Sequence, residues 1–194
     1  MSMLDWLVSM HINFSKFLFK ATSGMYADGK HLVKRAREEA QQYLNIYRSP
    51  IPGKMIADRV CNYVQAHTLY SSVRPFGVTA ILAAHDHNGP YLGMIEPSGV
   101  GWGYRACAAG KGHKVAKTEL EKLDLDNLDA LQAVNEVARI LLTCHDDSKD
   151  KPIELEMTWI APQTDFHHER VPQDILDQAR QFGEDAIKAR DMED

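Results

Sequence analysis

Apolar residues recur along this chain at two periods. From Asp28 to Tyr47, Leu32, Ala36, Ala40, Tyr43 and Tyr47 follow one another at three- and four-residue steps, while Lys30, Lys34, Arg35, Arg37, Glu38 and Glu39 fill the other faces. That spacing predicts an amphipathic helix of about five turns. Ser49-Pro50-Ile51-Pro52 interrupts it, and a second helix from Pro52 to Ser71 carries Ile56, Val60, Tyr63, Val64 and His67 on one side. The pattern then changes. Val78 to Ala84 is a short apolar run bounded by turn residues, Asp86-His87-Asn88-Gly89-Pro90 is hairpin chemistry, and Tyr91 to Ile95 is the returning strand.

After a turn at Pro97-Ser98-Gly99, Trp102 to Ala109 is expected to be a further strand, ended by Gly110-Lys111-Gly112. Val115, Ala116, Leu120 and Leu123 predict a helix over Gly112 to Leu123, and two more are expected over Leu128 to Cys144 and Pro172 to Lys188. Between these, Ile153, Leu155, Met157 and Trp159 alternate with Glu154, Glu156, Thr158 and Ile160, the pattern of a half-buried strand from Ile153 to Ile160. Helix pairs flanking a block of strands imply an α+β chain, a helix-sheet-sheet-helix sandwich with antiparallel strands.

The corner at Arg74-Pro75-Phe76-Gly77 joins the second helix to the first long strand. Pro75 fixes its own φ and turns Arg74 away from helix, Phe76 is large enough to anchor the bend, and Gly77 admits close backbone approach. These four residues are expected to be architectural.

Composition narrows the class. The chain has 194 residues, 44% hydrophobic and 25% charged, with no internal repeat or linker, which fits one domain with a single sizeable core. A formal charge of -5 gives no global attraction to nucleic acid or an anionic membrane, so protein partners are expected. Met1 to Phe19 contains apolar residues, but it has no basic leading region and no run near the ~20 residues a membrane span needs. It is expected to lie as an irregular or amphipathic start on exposed sheet.

Chemistry-bearing residues are sparse. Cys61, Cys107 and Cys144 form no CxxC pair and are expected to be reduced, with Cys61 in a helix and Cys107 in a strand acting as small buried hydrophobes. His85-Asp86-His87, His145-Asp146-Asp147 and His167-His168 fall at expected turns, where polar groups are solvated, and no metal is assigned to them. Gly110-Lys111-Gly112 precedes a helix but lacks the phosphate-binding fingerprints. No cofactor is expected.

Several unrelated strings, taken in order, carry a family resemblance. They are Thr22-Ser23-Gly24-Met25-Tyr26-Ala27-Asp28, Ala36-Arg37-Glu38-Glu39-Ala40, Ala57-Asp58-Arg59-Val60, Tyr63 with Thr68-Leu69-Tyr70-Ser71, Arg74-Pro75-Phe76-Gly77-Val78 and Glu96-Pro97-Ser98-Gly99. His145 to Lys151, Glu154-Leu155-Glu156 and Trp159-Ile160 continue the series. Over roughly residues 21 to 187 the chain resembles the proteasome alpha-subunit family, and within it the eukaryotic type-3 branch.

The resemblance implies the four-layer helix/sheet/sheet/helix sandwich of the N-terminal-nucleophile hydrolases, with the first sheet incomplete. Residues 1–20 would form a divergent N-terminal segment and residues 21–194 an alpha-subunit domain lacking the family's usual N-terminal region. Gly24 and Met25 match family positions lining the intersubunit pocket for activator tails; the lysine that family members place upstream of them has no match here. Catalytic relatives of the beta type attack with a processed N-terminal threonine. Here the chain opens with Met1-Ser2-Met3, and Thr22 and Ser23 fall inside a stretch resembling a core strand, so the resemblance implies no catalytic residue and no metal.

The function implied is that of a non-catalytic alpha subunit of the 20S core particle, in the outer ring that controls substrate entry in ubiquitin-dependent degradation. Its partners would be neighbouring alpha subunits, beta subunits and regulatory caps such as the 19S particle, in cytoplasm and nucleus, with no nucleic acid and no membrane. The helices from Asp28 to Ser71 would lie toward the alpha-beta junction, and those from Gly112 to Cys144 would face outward toward the caps. Two alternatives are a truncated subunit that assembles poorly and an independent N-terminal-nucleophile hydrolase.

Overall fold

The computed structural model describes residues 18–145 and 153–192. The expected N-terminal start up to residue 17 and the string from Asp146 to Lys151 lie outside the described residues.

Helix α1 spans Tyr26–Tyr47 and α2 spans Gly53–Leu69. Their apolar stripes are what the spacing demands: α1 buries Leu32, Val33, Ala36 and Ala40, and α2 buries Ile56, Ala57, Val60 and Val64. α1 stops at Arg48, whose left-handed φ of 56° brings its N–H onto the Leu44 carbonyl at 2.9 Å. Buried Glu39 joins the two helices, accepting from Arg59 of α2 at 2.9 Å and from Arg35 of its own helix.

Both helices cover one face of a four-stranded antiparallel sheet in the order β1-β2-β3-β4, comprising Leu18–Gly24, Val78–Asp86, Gly89–Ile95 and Gly101–Gly103. β2 alternates as the period-2 rule requires. Val78, Ala80, Leu82 and Ala84 are buried under α1 and α2, while Thr79, Ile81, Ala83 and His85 point to the opposite face and are half-buried. The small side chains at Ala80 and Ala84 make room for Ile56, Val60 and Val64 above them.

The opposite face turns toward α3 (His113–Glu121), α4 (Ala130–Thr143) and a two-stranded antiparallel sheet of β5 (Thr158–Ile160) and β6 (His168–Arg170). α5 (Gln173–Asp191) packs along α4, enclosing a second core of Val134, Ala138, Leu155, Val171, Leu176 and Ala179. The helices meet closely because Gly183 has no side chain: a Cβ there would lie 2.7 Å from Leu142 Cδ1 and 3.1 Å from Arg139 Cα. α4 starts at Ala130 because Asp129 caps it reciprocally, accepting from Gln132 N at 2.7 Å while Gln132 Oε1 accepts from Asp129 N at 3.0 Å.

The chain is therefore α+β with antiparallel sheets, and two expected strands shorten. Trp102 to Ala109 was expected to run on, but the ladder ends at Gly103. After Tyr104 N donates to Leu92 O at 2.8 Å, the chain leaves the sheet and Cys107 to Ala109 line the space between the layers. Ile153 to Ile160 is paired only from Thr158; upstream, Leu155 alternates into the second core as extended chain without a ladder. Burial alone produced that alternation. β6 and the 3-10 turn at Pro162–Thr164 carry no periodic signal.

Leu82, fully buried between α2 and the sheet, should cost about 2–5 kcal/mol when cut to alanine, whereas Lys34→Ala, on a side chain 80% exposed, should stay within about 0.5 kcal/mol. Urea unfolding reads both, and equal losses would contradict this burial pattern.

Candidate functional site

Where β1 passes into α1, the chain needs a glycine. Gly24 has φ +129°, and a Cβ there would lie 2.3 Å from the Gly77 carbonyl oxygen. Met25 follows in extended conformation, donating its N–H to Gly77 O at 2.9 Å, with its side chain 55% exposed. Gly77 in turn lies beneath that side chain, since a Cβ on it would meet Met25 Sδ at 2.8 Å. Two segments far apart in sequence, Gly24-Met25 and Arg74-Pro75-Phe76-Gly77, thus form one site.

Asp28 ties them together. It sits in the first turn of α1, 7% exposed, and three donors converge on its carboxylate. Arg74 Nη1 donates to Oδ2 at 2.7 Å, Arg74 Nη2 to Oδ1 at 2.9 Å, and Gly77 N to Oδ2 at 2.9 Å. Arg74 Nη1 also donates to the Pro75 carbonyl at 3.0 Å. The Arg74 hydrogen bonds, with help from Gly77 N–H and against the opposing effect of burial, hold the Asp28 carboxyl below its ordinary value. Asp28 in return raises the Arg74 guanidinium.

Phe76 is buried behind the corner, its ring 5.5 Å from His31, 4.6 Å from His67 and 6.0 Å from Tyr63, centroid to centroid. His31 Nε2 and Tyr63 OH share a 2.7 Å hydrogen bond across the two helices.

Sequence reading singled out Gly24, Met25 and the corner separately and missed Asp28. Its one signal, an acidic residue in a helix first turn, has the ordinary explanation of favouring the helix dipole. The partner 46 positions away is invisible to local patterns.

Other candidates resolve differently. Asp86 is not a solvated hairpin residue: burial opposes its ionisation, but N–H groups of Gly53 at 2.9 Å and Asn88 at 2.7 Å outweigh it and lower its carboxyl. His85 stacks on Phe166 at 4.0 Å, and His167 and His168 are half-buried rather than exposed, the latter within β6. Of the His145-Asp146-Asp147 group only His145 is described. Cys107 lies outside any strand, in an apolar cavity of about 200 Å³ that Cys144 also lines, and burial pushes its thiol up to about 11. Burial likewise raises the Cys144 thiol. At both positions burial favours the neutral thiol over the nucleophilic thiolate. Thr22 and Ser23 lie within β1, paired with Ala80 and Thr79.

Asp28→Ala removes the charged acceptor of the Gly77 N–H and of both Arg74 bonds, so it should lose about 1–3 kcal/mol at neutral pH. Because the folded carboxyl lies below the ordinary 3.8, the ionised contribution is complete above that value and disappears as pH falls through the lower folded one. Unfolding free energies of both proteins against pH should therefore converge on the acid side; a gap constant to the most acidic pH at which both fold would refute the ion pair. Phe76→Ala, with the ring 6% exposed, should lose about 3–5 kcal/mol, and a loss under about 1 kcal/mol would show an unanchored corner.

Comparison with known proteins gives this geometry its context. The family model described as proteasome subunit matches residues 11–160. The chain is 52% identical over 162 residues to the probable proteasome subunit alpha type-7 of Schizosaccharomyces pombe, covering 84% of this chain and 64% of the relative. It is 48% identical over 168 residues to proteasome subunit alpha type-3 of Acanthamoeba castellanii, covering 87% and 67%, and 45% identical over 173 residues to that of Oryza sativa, covering 89% and 70%. It thus spans about two thirds of the length of these relatives. With the family matched over most of its length, the chain belongs to the proteasome subunit family.

Proposed function

We propose that the chain acts as a non-catalytic structural alpha subunit of the 20S proteasome core particle, in the outer ring that controls substrate entry in ubiquitin-dependent protein degradation. The observation that carries this is the 40–52% identity to relatives named alpha type-3 and alpha type-7. The alpha rather than beta character fits the residues. Thr22 and Ser23 are strand residues, hydrogen-bonded into β1 beside β2, and a threonine nucleophile that uses its own amine as base needs that amine free.

The layering is compatible with the four-layer N-terminal-nucleophile sandwich: α1 and α2 cover one face of the sheet β1 to β4, and α3, α4 and the sheet β5–β6 lie on its other face, with α5 along α4. Its partners are neighbouring alpha subunits, beta subunits and regulatory caps such as the 19S particle, in cytoplasm and nucleus. Among the described residues no helix is long and apolar enough to cross a membrane. Gly24 and Met25 serve as the docking point for a cap's C-terminal tail. Support comes from Met25, whose apolar side chain stands 55% exposed beside a fixed backbone. Such a side chain adapts readily to a partner.

A tagged chain expressed in eukaryotic cells should migrate with core particles in native gels and co-sediment with them; recovery only as free chain would end the proposal. For the chain purified free of other subunits, hydrolysis of fluorogenic peptides should be at background, and replacing Thr22 and Ser23 by alanine should leave it there. A purified activity lost on that replacement would instead make the chain a hydrolase.

A further inference from the structure

We infer that Asp28 is the positioning residue of the Gly24–Met25 docking site: it sets the surface offered to a cap's C-terminal peptide without belonging to that surface. The inference rests on the reading of Gly24 and Met25 as that site.

Met25 belongs to neither β1 nor α1, and no side chain caps the helix there. Its backbone is held from two sides, by the hydrogen bond from its N–H to Gly77 O at 2.9 Å and by its carbonyl, which accepts from Gly29 N of α1 at 3.0 Å. Its neighbour Gly24 has φ +129° and lies so close to Gly77 that a Cβ on it would sit 2.3 Å from the Gly77 oxygen. On the side away from α1, Met25 takes its position from Gly77. Gly77 lies outside β2 and has no side chain to anchor it; its N–H is held by Asp28 Oδ2 at 2.9 Å. Gly77 thus takes its place from Asp28 through its N–H and passes it to Met25 through its carbonyl.

Arg74 completes the device from the other side. Its two nitrogens grip both oxygens of Asp28, fixing the rotation of the carboxylate that Gly77 requires. Asp28 itself is buried, at 7% exposure, whereas Met25 is 55% exposed. A peptide resting on Met25 meets the consequence of Asp28 and not the side chain. A displacement of about 1 Å at a binding surface is enough to weaken recognition.

The test uses assembled core particles carrying the chain and a synthetic C-terminal peptide of a regulatory cap protein bearing a photocrosslinker. The concentration giving half-maximal crosslinking to this chain is the readout. Asp28→Asn keeps the side-chain shape but removes the charge and one accepting oxygen, and in either orientation turns an NH2 donor against an Arg74 nitrogen, so it should raise that concentration at least about fivefold. Val60→Ala destabilises the same layer at a fully buried position that takes no part in the Asp28 hydrogen bonds, and should leave it unchanged. Met25→Asp should raise it strongly, because it damages the surface itself.

If Asp28→Asn behaves like Val60→Ala while Met25→Asp weakens crosslinking, the positioning role is refuted and the site stands. If Met25→Asp has no effect either, the site reading and this inference fall together. Should Asp28→Asn not enter particles, Arg74→Gln takes its place. It leaves the Gly77 N–H bond intact, and about a twofold weakening is expected; no change would refute the role.

Discussion

One carboxylate decides how the first half of this chain closes on itself. β1 and β2 are adjacent in the sheet, yet α1 and α2 lie between them in sequence. Closing so long a connection costs an entropy that grows only slowly with length, so closure is less of a problem than register. A slip of β1 by one residue would turn Ala21, which lines the space between the layers beside Ile81, onto the α1–α2 side. The ladder ends at Gly24 opposite Val78, and the next bond is Met25 N–H to Gly77 O. Asp28 on Gly77 N–H then admits a single alignment, because a shifted strand would bring another amide to the carboxylate and break the Arg74 pair.

Position and energy come from different residues. Leu32, Ile56, Val60, Val64, Leu82 and Ile95 are almost wholly removed from water and supply the burial that stabilises the layer. The Arg74 side chain is 63% exposed, so its attraction to Asp28 is screened and worth little by itself. What matters is the buried partner. A carboxylate at 10% side-chain exposure would be costly without donors, and three donors in fixed directions leave it one place to be.

Much of this was legible because it is periodic. Leu32, Ala36 and Ala40 announced α1, and Ile56, Val60 and Val64 announced α2, since a helix on a sheet must present a stripe. Pro75 and Gly77 announced a bend, since one fixes φ and the other lacks Cβ. Neither says what the bend touches; that Asp28 answers Arg74 is a fact of tertiary geometry. The same blindness explains the misplaced strands. Leu155 alternates because it is buried, and only pairing with β6, which has no pattern of its own, separates strand from extended chain. Likewise, Asp86 has the residue type of a solvated turn, and only the fold brings Gly53 N–H within 2.9 Å of it.

Asp86 shows that the arrangement at Asp28 is half of a pair. β2 begins just after Gly77, whose N–H is bound by a carboxylate from the first turn of α1; β2 ends at Asp86, whose carboxylate binds the first N–H of α2. Each helix start is thereby fastened to one end of the same central strand, and at each a negative charge lies near the positive end of the helix dipole. Both carboxyls lie below their ordinary values, so both fastenings are charged at neutral pH. A helix pinned only by its apolar stripe can slide along a sheet by a turn at modest cost, because Leu, Ile and Val make non-directional contacts. Fastened at opposite ends of β2, α1 and α2 can slide only by breaking directional hydrogen bonds to charged acceptors. The exposed Met25, one residue before α1, stands at one of these two fastenings.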